Sequence, residues 1–383
     1  MPESDLFSHM RRPSQAPEPL TDGDWLVALH ASCELAHPTV CRLAALGAGA
    51  ARRIAADPEA LAEARLPART AALLDRLERE GRELAAGVLR RAADARARVV
   101  TLADPEAPAK LRHLALPPPL LYVRGTLPDA PAVAVVGARR ASPYGLEVAR
   151  WVATELVAAG VTVVSGFALG IDAAAHRAAL AAGGRTVAVL GCGIDVDYPR
   201  GHRGLGKEIA ASGALVTEFP PGAEPVRWQF PVRNRLIAAL AGACVVVEAA
   251  PRSGSLVTAR LALEIGREVL AVPGRVTDEL ALGTNALVAD GARPLLDPAD
   301  VLEALGLEPP ARKGFPGTQP REPAGLDADA QTLWRACSEG SANAEALAAR
   351  AGVDADRALA ALLALELGGY LRRAHDGRYE IAG

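Results

Sequence analysis

Short β-branched runs punctuated by glycine fill the middle of the chain: "PAVAVVG", "GVTVVSG", "GRTVAVLG", "GALVTEF", "GACVVVEAA" and "REVLAVPG". They are apolar at successive positions, as strands covered on both faces must be. Between most of them lie stretches with apolar residues at helical spacing, "EVARWVATELVAAG", "IDAAAHRAALAAGG", "RLIAALAG" and "LVTARLALEIG". This alternation predicts an α/β fold, a doubly wound parallel sheet, over about 98–306. Before it, from Asp24 to about Ala97, the pattern is helical throughout, as in "RTAALLDRLEREGRELAAGVLRRAADARA", which predicts a small all-α domain over 21–97. Residues 1–20 read as a disordered tail and the Pro/Gly-rich 307–325 as a linker. In 326–383, three helical stretches precede two strand-like runs joined by "HDGR", a type I′ hairpin signal, and together they predict a winged helix.

Composition narrows the function. The 383 residues are half apolar and carry a net charge of −3, with lysine only at Lys110, Lys207 and Lys313. Mild acidity excludes a protein that coats nucleic acid non-specifically, so any polyanion site must be local. The winged segment has six arginines against nine acidic residues, which makes protein binding at least as good a reading for it as DNA binding. Five cysteines without CxxC or Cys/His spacing predict a reduced, cytoplasmic protein with no structural metal. No apolar run is long enough to span a bilayer, so no membrane insertion is expected.

In a parallel α/β sheet, ligands sit beyond the carboxyl ends of the strands. The loops after the strands supply Arg139, Arg140 and Ser142, then Gly170, then Tyr198, Arg200, Arg203 and Lys207, then Arg227, Trp228 and Phe230, then Arg252, Ser253, Gly254 and Ser255. Glycines and serines at helix entries leave backbone N–H groups for an anion. The set predicts an arginine-rich, glycine-lined cleft for a phosphate-bearing ligand. "FPVRNRLIAAL" fits this, because Arg233 and Arg235 stand at an expected helix start, where cations cost roughly 0.3–1 kcal/mol each unless an anion completes the site.

Plainer roles compete at several positions. Asn234 reads as the N-cap before "RLIAALAG". Gly137, Gly166 and Gly191 serve tight turns, and Cys192 is a small residue in one. Asp172 and His176, at i and i+4, read as a structural helix-start pair before an acid–base dyad. Ser253 and Ser255 are caps or anion donors, with no histidine base beside them. Trp228 has a core reading, although its neighbours are polar and Pro-rich. There is no GxxxxGK[ST] motif, no complete dinucleotide fingerprint and no carboxylate pair for a metal, so no cofactor and no catalytic residue is assigned.

"VAVVGARRASPYG", "VVSGFALGIDAAAHRAAL", "FPVRNRLIAALA", "VVEAAPRSGSLVTARLALEIGREVLAVPG" and "GTNALVADGA", in this order over about 100–296, resemble the motifs of the DNA-processing protein A family (DprA, also called Smf). Two positions depart from its pattern: Ala107 stands where an aromatic is usual, and His202 where an asparagine is. The resemblance implies an extended Rossmann-like sheet domain, flanked by an N-terminal SAM-like helical domain and a C-terminal winged helix. It implies a homodimer through the sheet domain that binds single-stranded DNA, displaces or bypasses single-strand-binding protein, and loads the recombinase RecA during natural transformation. It places Arg139 in the first phosphate-contacting loop, makes Arg227 and Phe230 the basic and stacking pair, and has Arg233 and Arg235 complete the pocket. With them, Gly137, Ser165, Gly166, Gly170, Arg200, Lys207, Asn234, Ser253, Gly254 and Ser255 form the expected DNA-binding set.

Two other classes remain to be weighed. A nucleotide-processing hydrolase of the lysine-decarboxylase-like (LOG) type shares such a sheet and a glycine-rich turn like "RSGSLVTA". It needs a glutamate just after that turn, where this chain has Thr258, Ala259 and Arg260 and reaches Glu264 only later. A regulator whose winged helix grips duplex DNA while the sheet senses a nucleotide conflicts with the acidic winged segment.

Overall fold

The computed structural model describes residues 20–32, 34–309, 326–340, 342–374 and 377–381. Residues 1–19 of the expected tail, most of the expected linker, and the centre of the expected type I′ turn at His375 and Asp376 lie outside them. The chain divides into two compact units at about residue 308.

The first unit opens with five helices, α1 (Asp22–Ala31), α2 (His37–Leu46), α3 (Ala48–Ala55), α4 (Pro58–Glu63) and α5 (Arg69–Asp94). α5 is long because its apolar residues hold one face: Leu73, Leu74, Leu77, Ala85, Val88 and Ala92 are all buried. Thr21 caps α1 and Asp57 caps α4, each accepting a bond from a backbone N–H of the first turn.

Nine strands then build one sheet. β1 (Arg98–Thr101) and β2 (Leu120–Gly125) precede β3 (Ala132–Val136), α6 (Pro143–Ala158), β4 (Thr162–Ser165), α7 (Ile171–Ala181), β5 (Thr186–Val189), α8 (Arg203–Ser212) and β6 (Ala214–Thr217). α9 (Gln229–Leu240), β7 (Ala243–Val246), α10 (Gly254–Glu264), β8 (Glu268–Ala271), α11 (Glu279–Ala289), β9 (Arg293–Pro294) and α12 (Ala299–Ala304) follow. The strand order is β1-β2-β6-β5-β4-β3-β7-β8-β9. β3 to β9 are parallel, and β1 and β2 extend one edge in antiparallel fashion, an addition that the glycine-bounded runs did not announce. β3 to β7 are buried at every position, as their unbroken apolar runs require.

The two faces of the sheet bury different partners. One face shares a continuous core with the N-terminal helices, in which Trp25, Leu29 and Leu77 join Tyr122, Leu190 and Leu215. The other packs under α9 and α10 through Val136, Val164, Val246, Ile237 and Ala262. The helical segment is therefore tied to the sheet by burial along its length.

The second unit is a winged helix: α13 (Ala328–Ser338), α14 (Ala344–Ala351) and α15 (Ala355–Leu367), then the antiparallel pair β10 (Leu371–Arg373) and β11 (Tyr379–Ile381). Leu333, Trp334, Leu347, Leu362 and Leu365 form its own core. No helix among the described residues is long and apolar enough to cross a membrane.

Candidate nucleic-acid interface

β3 has β4 on one side and β7 on the other, and the chain leaves for opposite halves of the sheet at this point. Such a switch point opens a crevice outside the carboxyl ends of the strands. Here it is a cleft of about 620 Å³. Gly137 and Arg139 reach it from the end of β3, Asp172 from α7, and Tyr198 from the loop after β5. Arg227, Phe230, Arg233 and Asn234 come from the start of α9, and Ser253, Gly254, Ser255 and Thr258 from α10. Gly166 lines an adjoining recess together with Arg139, Tyr198, Phe230 and Arg233.

Phe230 is the organising ring. The guanidinium carbons of Arg139 and Arg233 lie 5.4 and 5.9 Å from its centroid, and the Tyr198 ring lies 5.5 Å away, tilted by 43°. Such cation–ring distances are attractive and hold the cations beside a stacking surface. A Cβ at Gly191 would stand 2.7 Å from the Phe230 ring, so glycine there gives the ring its seat.

Arg233 is buried at 5 % exposure. Its Nη1 donates to the carbonyl of Gly166 at 2.6 Å and also to that of Val189, and its Nε donates to Asn234 Oδ1 at 3.0 Å. Burial draws its guanidinium down to about 10, reinforced by Arg139 and opposed by Asp172, so it stays charged at neutral pH. Asp172 accepts from the N–H groups of Gly166 and Ala168 and fixes the loop after β4. Burial pushes its carboxyl up, against the pull of Arg233. Gly170 turns the same loop at φ +77, where a Cβ would lie 2.2 Å from the Ala138 carbonyl oxygen. Arg139 and Arg227 are exposed and form no ion pair among the described residues.

Ser253 caps α10, accepting from Ser255 N, and its hydroxyl is 2.7 Å from that of Ser255. This turns a helix N-terminus toward the arginines, and the combination favours an anion. The cleft thus offers cations, a helix end and two rings, which is the equipment for a phosphate bearing a flat base.

Several expectations need correction. Asn234 is no N-cap: α9 begins at Gln229, six residues before the expected apolar stretch, with Trp228 as its cap residue. Pro231 sits in the first turn, where its missing N–H costs nothing. Arg233 and Arg235 are therefore inside the helix rather than at its positive end. Asn234 bonds Arg233 and donates to the Gly254 carbonyl, tying α9 to α10. Arg235 does not reach the cleft. Its Nη1 and Nη2 donate to Glu218 Oε2 and Oε1, both at 2.7 Å, and its Nε donates to the Leu116 carbonyl. Ser165 is fully buried, donating to the Val135 carbonyl beneath the cleft. Asp172 and His176 are not partners, since His176 Nδ1 lies 2.6 Å from Thr186 Oγ1. Arg200 and Lys207 are exposed and do not line the cleft.

The sequence reading also missed a polar cluster. His37 Nε2 is 3.2 Å from Glu218 Oε1, and with Cys41 these residues bring three ligand-type atoms within 4.8 Å of one another. Arg235 already satisfies the carboxylate there and supplies its counter-charge. Burial opposes ionisation of Glu218, but the bonds from His37 and Arg235 hold its carboxyl down at about 2. Burial also pushes the Cys41 thiol up to about 12. His37 and Cys41 stand at i and i+4 on α2, but no sequence spacing links them to Glu218 or Arg235, so only folding could show the whole cluster.

Residues 98–306 match the family model described as DNA recombination-mediator protein A, and residues 317–377 match the DprA winged helix domain. The putative DNA processing protein DprA of Mycobacterium tuberculosis is 44% identical over 254 residues, covering 65% of this chain and 64% of the relative. Protein Smf of Escherichia coli is 45% identical over 191 residues, covering 49% and 51%. The chain thus spans less than two thirds of the length of these relatives. The X-ray structure of DNA processing protein A from Streptococcus pneumoniae is similar with a TM-score of 0.59 and 31% identity, over 74% of this chain and 93% of that one. The Helicobacter pylori structure, which concerns that protein's single-stranded DNA binding mode, has a TM-score of 0.50 and 32% identity, over 55% and 97%. One family model covers more than half of the residues, including the whole sheet that builds the cleft, and this chain belongs to the DNA recombination-mediator protein A (DprA/Smf) family.

Proposed function

We propose that this chain binds single-stranded DNA in the switch-point cleft and passes the strand to the recombinase RecA, acting as a recombination mediator in the cytoplasm. The observation that carries the reading is the grouping of Arg139, Arg233, Tyr198 and Phe230 in one cleft beside the capped start of α10. Arginines neutralise phosphates, and rings stack bases whatever their identity, which is what sequence-tolerant binding of a single strand needs. The single-stranded DNA binding mode of the similar Helicobacter pylori protein supports the same ligand. A duplex fits less well, because stacking on Phe230 requires an unpaired base.

Dimerisation through the sheet domain and contact with single-strand-binding protein belong to the same proposal and rest on family membership. So do the limits 21–97, 98–306 and 326–383 for the three domains. The LOG-type hydrolase is not favoured. Glu264 is the last residue of α10, about 15 Å along the helix from Gly254 at 1.5 Å per residue, while the turn itself carries serines.

Fluorescence anisotropy with labelled single-stranded, duplex and mononucleotide ligands over a salt series tests the reading. The single strand should bind best, with affinity falling steeply as salt rises. Equal or stronger duplex binding, or a flat salt response, would refute it.

A further inference from the structure

The first turn of α9 is a wall between two cavities. Phe230, Pro231 and Arg233 face the cleft, whereas Trp228, Gln229 and Val232 line a second cavity of about 350 Å³. Phe219, from the segment after β6, and His30 and His37, from the N-terminal helices, close its other sides. The two chambers differ in chemistry. Among the described residues no lysine or arginine lines the second, which is walled mostly by rings, prolines and aliphatic groups.

Two features of this chamber are unexplained by packing. Trp228 is 50% exposed, although it meets Phe219 edge-on at 5.8 Å and 81° and lies 6.3 Å from His37. It makes no side-chain cap bond for α9. A large ring left half in solvent beside other rings offers a stacking face. His30 is only 6% exposed, and its Nδ1 has no hydrogen-bond partner. Nδ1 has no accessible surface, so His30 meets the chamber by another part of its ring. Burial draws His30 down to about 4, so its ring is neutral at physiological pH, with one nitrogen donating and the other accepting.

We propose that this chamber is a second base-binding site, taking one nucleobase between the N-terminal helices and the sheet domain. Trp228 supplies the stacking face, and His30, through Nε2 rather than the inaccessible Nδ1, the in-plane hydrogen bond. A nucleobase fits because it is flat and uncharged and has donors and acceptors on its edge. Arg227, immediately before Trp228, lines the neighbouring cleft, so a strand whose phosphates lie there has a route for one base over the α9 wall. The role in strand binding rests on the cleft reading above, whereas the base site itself does not.

The test uses the full chain and two probes. Uncharged nucleosides, thymidine and adenosine, should quench Trp228 emission saturably and to the same extent at low and high salt, because no phosphate is involved. The Trp228→Phe protein assigns the signal. Trp228→Ala, an exposed change, should weaken binding of a long oligothymidylate roughly 5- to 100-fold and leave its salt slope unchanged. Ala223→Phe, which puts a ring in the chamber and leaves Trp228 and His30 unchanged in sequence, should do the same. Nucleosides that leave Trp228 emission unchanged at millimolar concentration overturn the proposal, as does native strand affinity in both variants. If the native chain bound no strand but nucleosides still quenched Trp228, the cleft reading would fall and the base site would stand.

Discussion

Arg233 and Arg235 leave α9 in opposite directions, and each is buried, yet they serve different regions of the molecule. Arg235 points to the seam between the N-terminal helices and the sheet, where Glu218 binds it with both oxygens and His37 closes the group. Its charge is answered inside the protein. Arg233 points to the switch point, where its hydrogen bonds go to carbonyl groups and to Asn234, and the carboxyl of Asp172 is itself pushed toward neutrality by burial. Arg139 adds a second cation there with no ion-pair partner among the described residues. Burial of an arginine therefore says little about ligand binding. What separates the two regions is whether the counter-charge comes with the fold or has to arrive from outside.

Arg235→Ala should have the largest effect. It strands the Glu218 carboxylate in the seam and should cost about 3–5 kcal/mol in urea unfolding, while folded protein keeps its strand affinity. Loss of DNA binding with unchanged stability would mean that the two arginines had been assigned the wrong way round. The seam also predicts an acid limb. Glu218 titrates at about 2 in the folded protein against an ordinary 4.5, so its contribution is complete above about pH 4.5 and lost as pH falls toward 2. Thermal melts over that range should show the loss, and Glu218→Gln should flatten it.

On the cleft side, Phe230→Ala should reduce single-strand affinity by roughly 1–3 kcal/mol, the value of one stacked base, without altering the salt slope. Arg139→Ala gives the smallest change. It should reduce the log–log salt slope by about 0.7, the share of one phosphate contact in a single strand. Since Arg139 is exposed, unfolding midpoints should not move. Equal salt slopes for native and Arg139→Ala protein would remove that side chain from the phosphate track.

Much of the cleft was legible in the residues. β-branched runs bounded by glycine located β3 to β8, and reading only the loops beyond their carboxyl ends collected Arg139, Arg227, Phe230, Ser253 and Gly254. Ser253 as a cap was readable because a serine one residue before a helical pattern has a local job. The same logic failed at Asn234. An asparagine before "RLIAALAG" has the local signature of a cap, but α9 begins earlier and the amide is satisfied by Arg233 and by α10. Arg200 and Lys207 do not line the cleft for a related reason: being in or near the right loop does not fix the direction in which a long side chain points.

By itself the sequence determined the parallel sheet, the winged helix and the edge of the sheet at which a ligand would sit. These follow from period, β-branching and glycine placement, all of which act between near neighbours. Tertiary structure alone decided which of two arginines on one helix faces the cleft and which meets Glu218. It also decided that His37 and Cys41 join residues about 180 positions away, and that α9 parts a charged cleft from an aromatic chamber. Those outcomes depend on which charges and rings are brought together through space, and no local pattern along the chain encodes that distance.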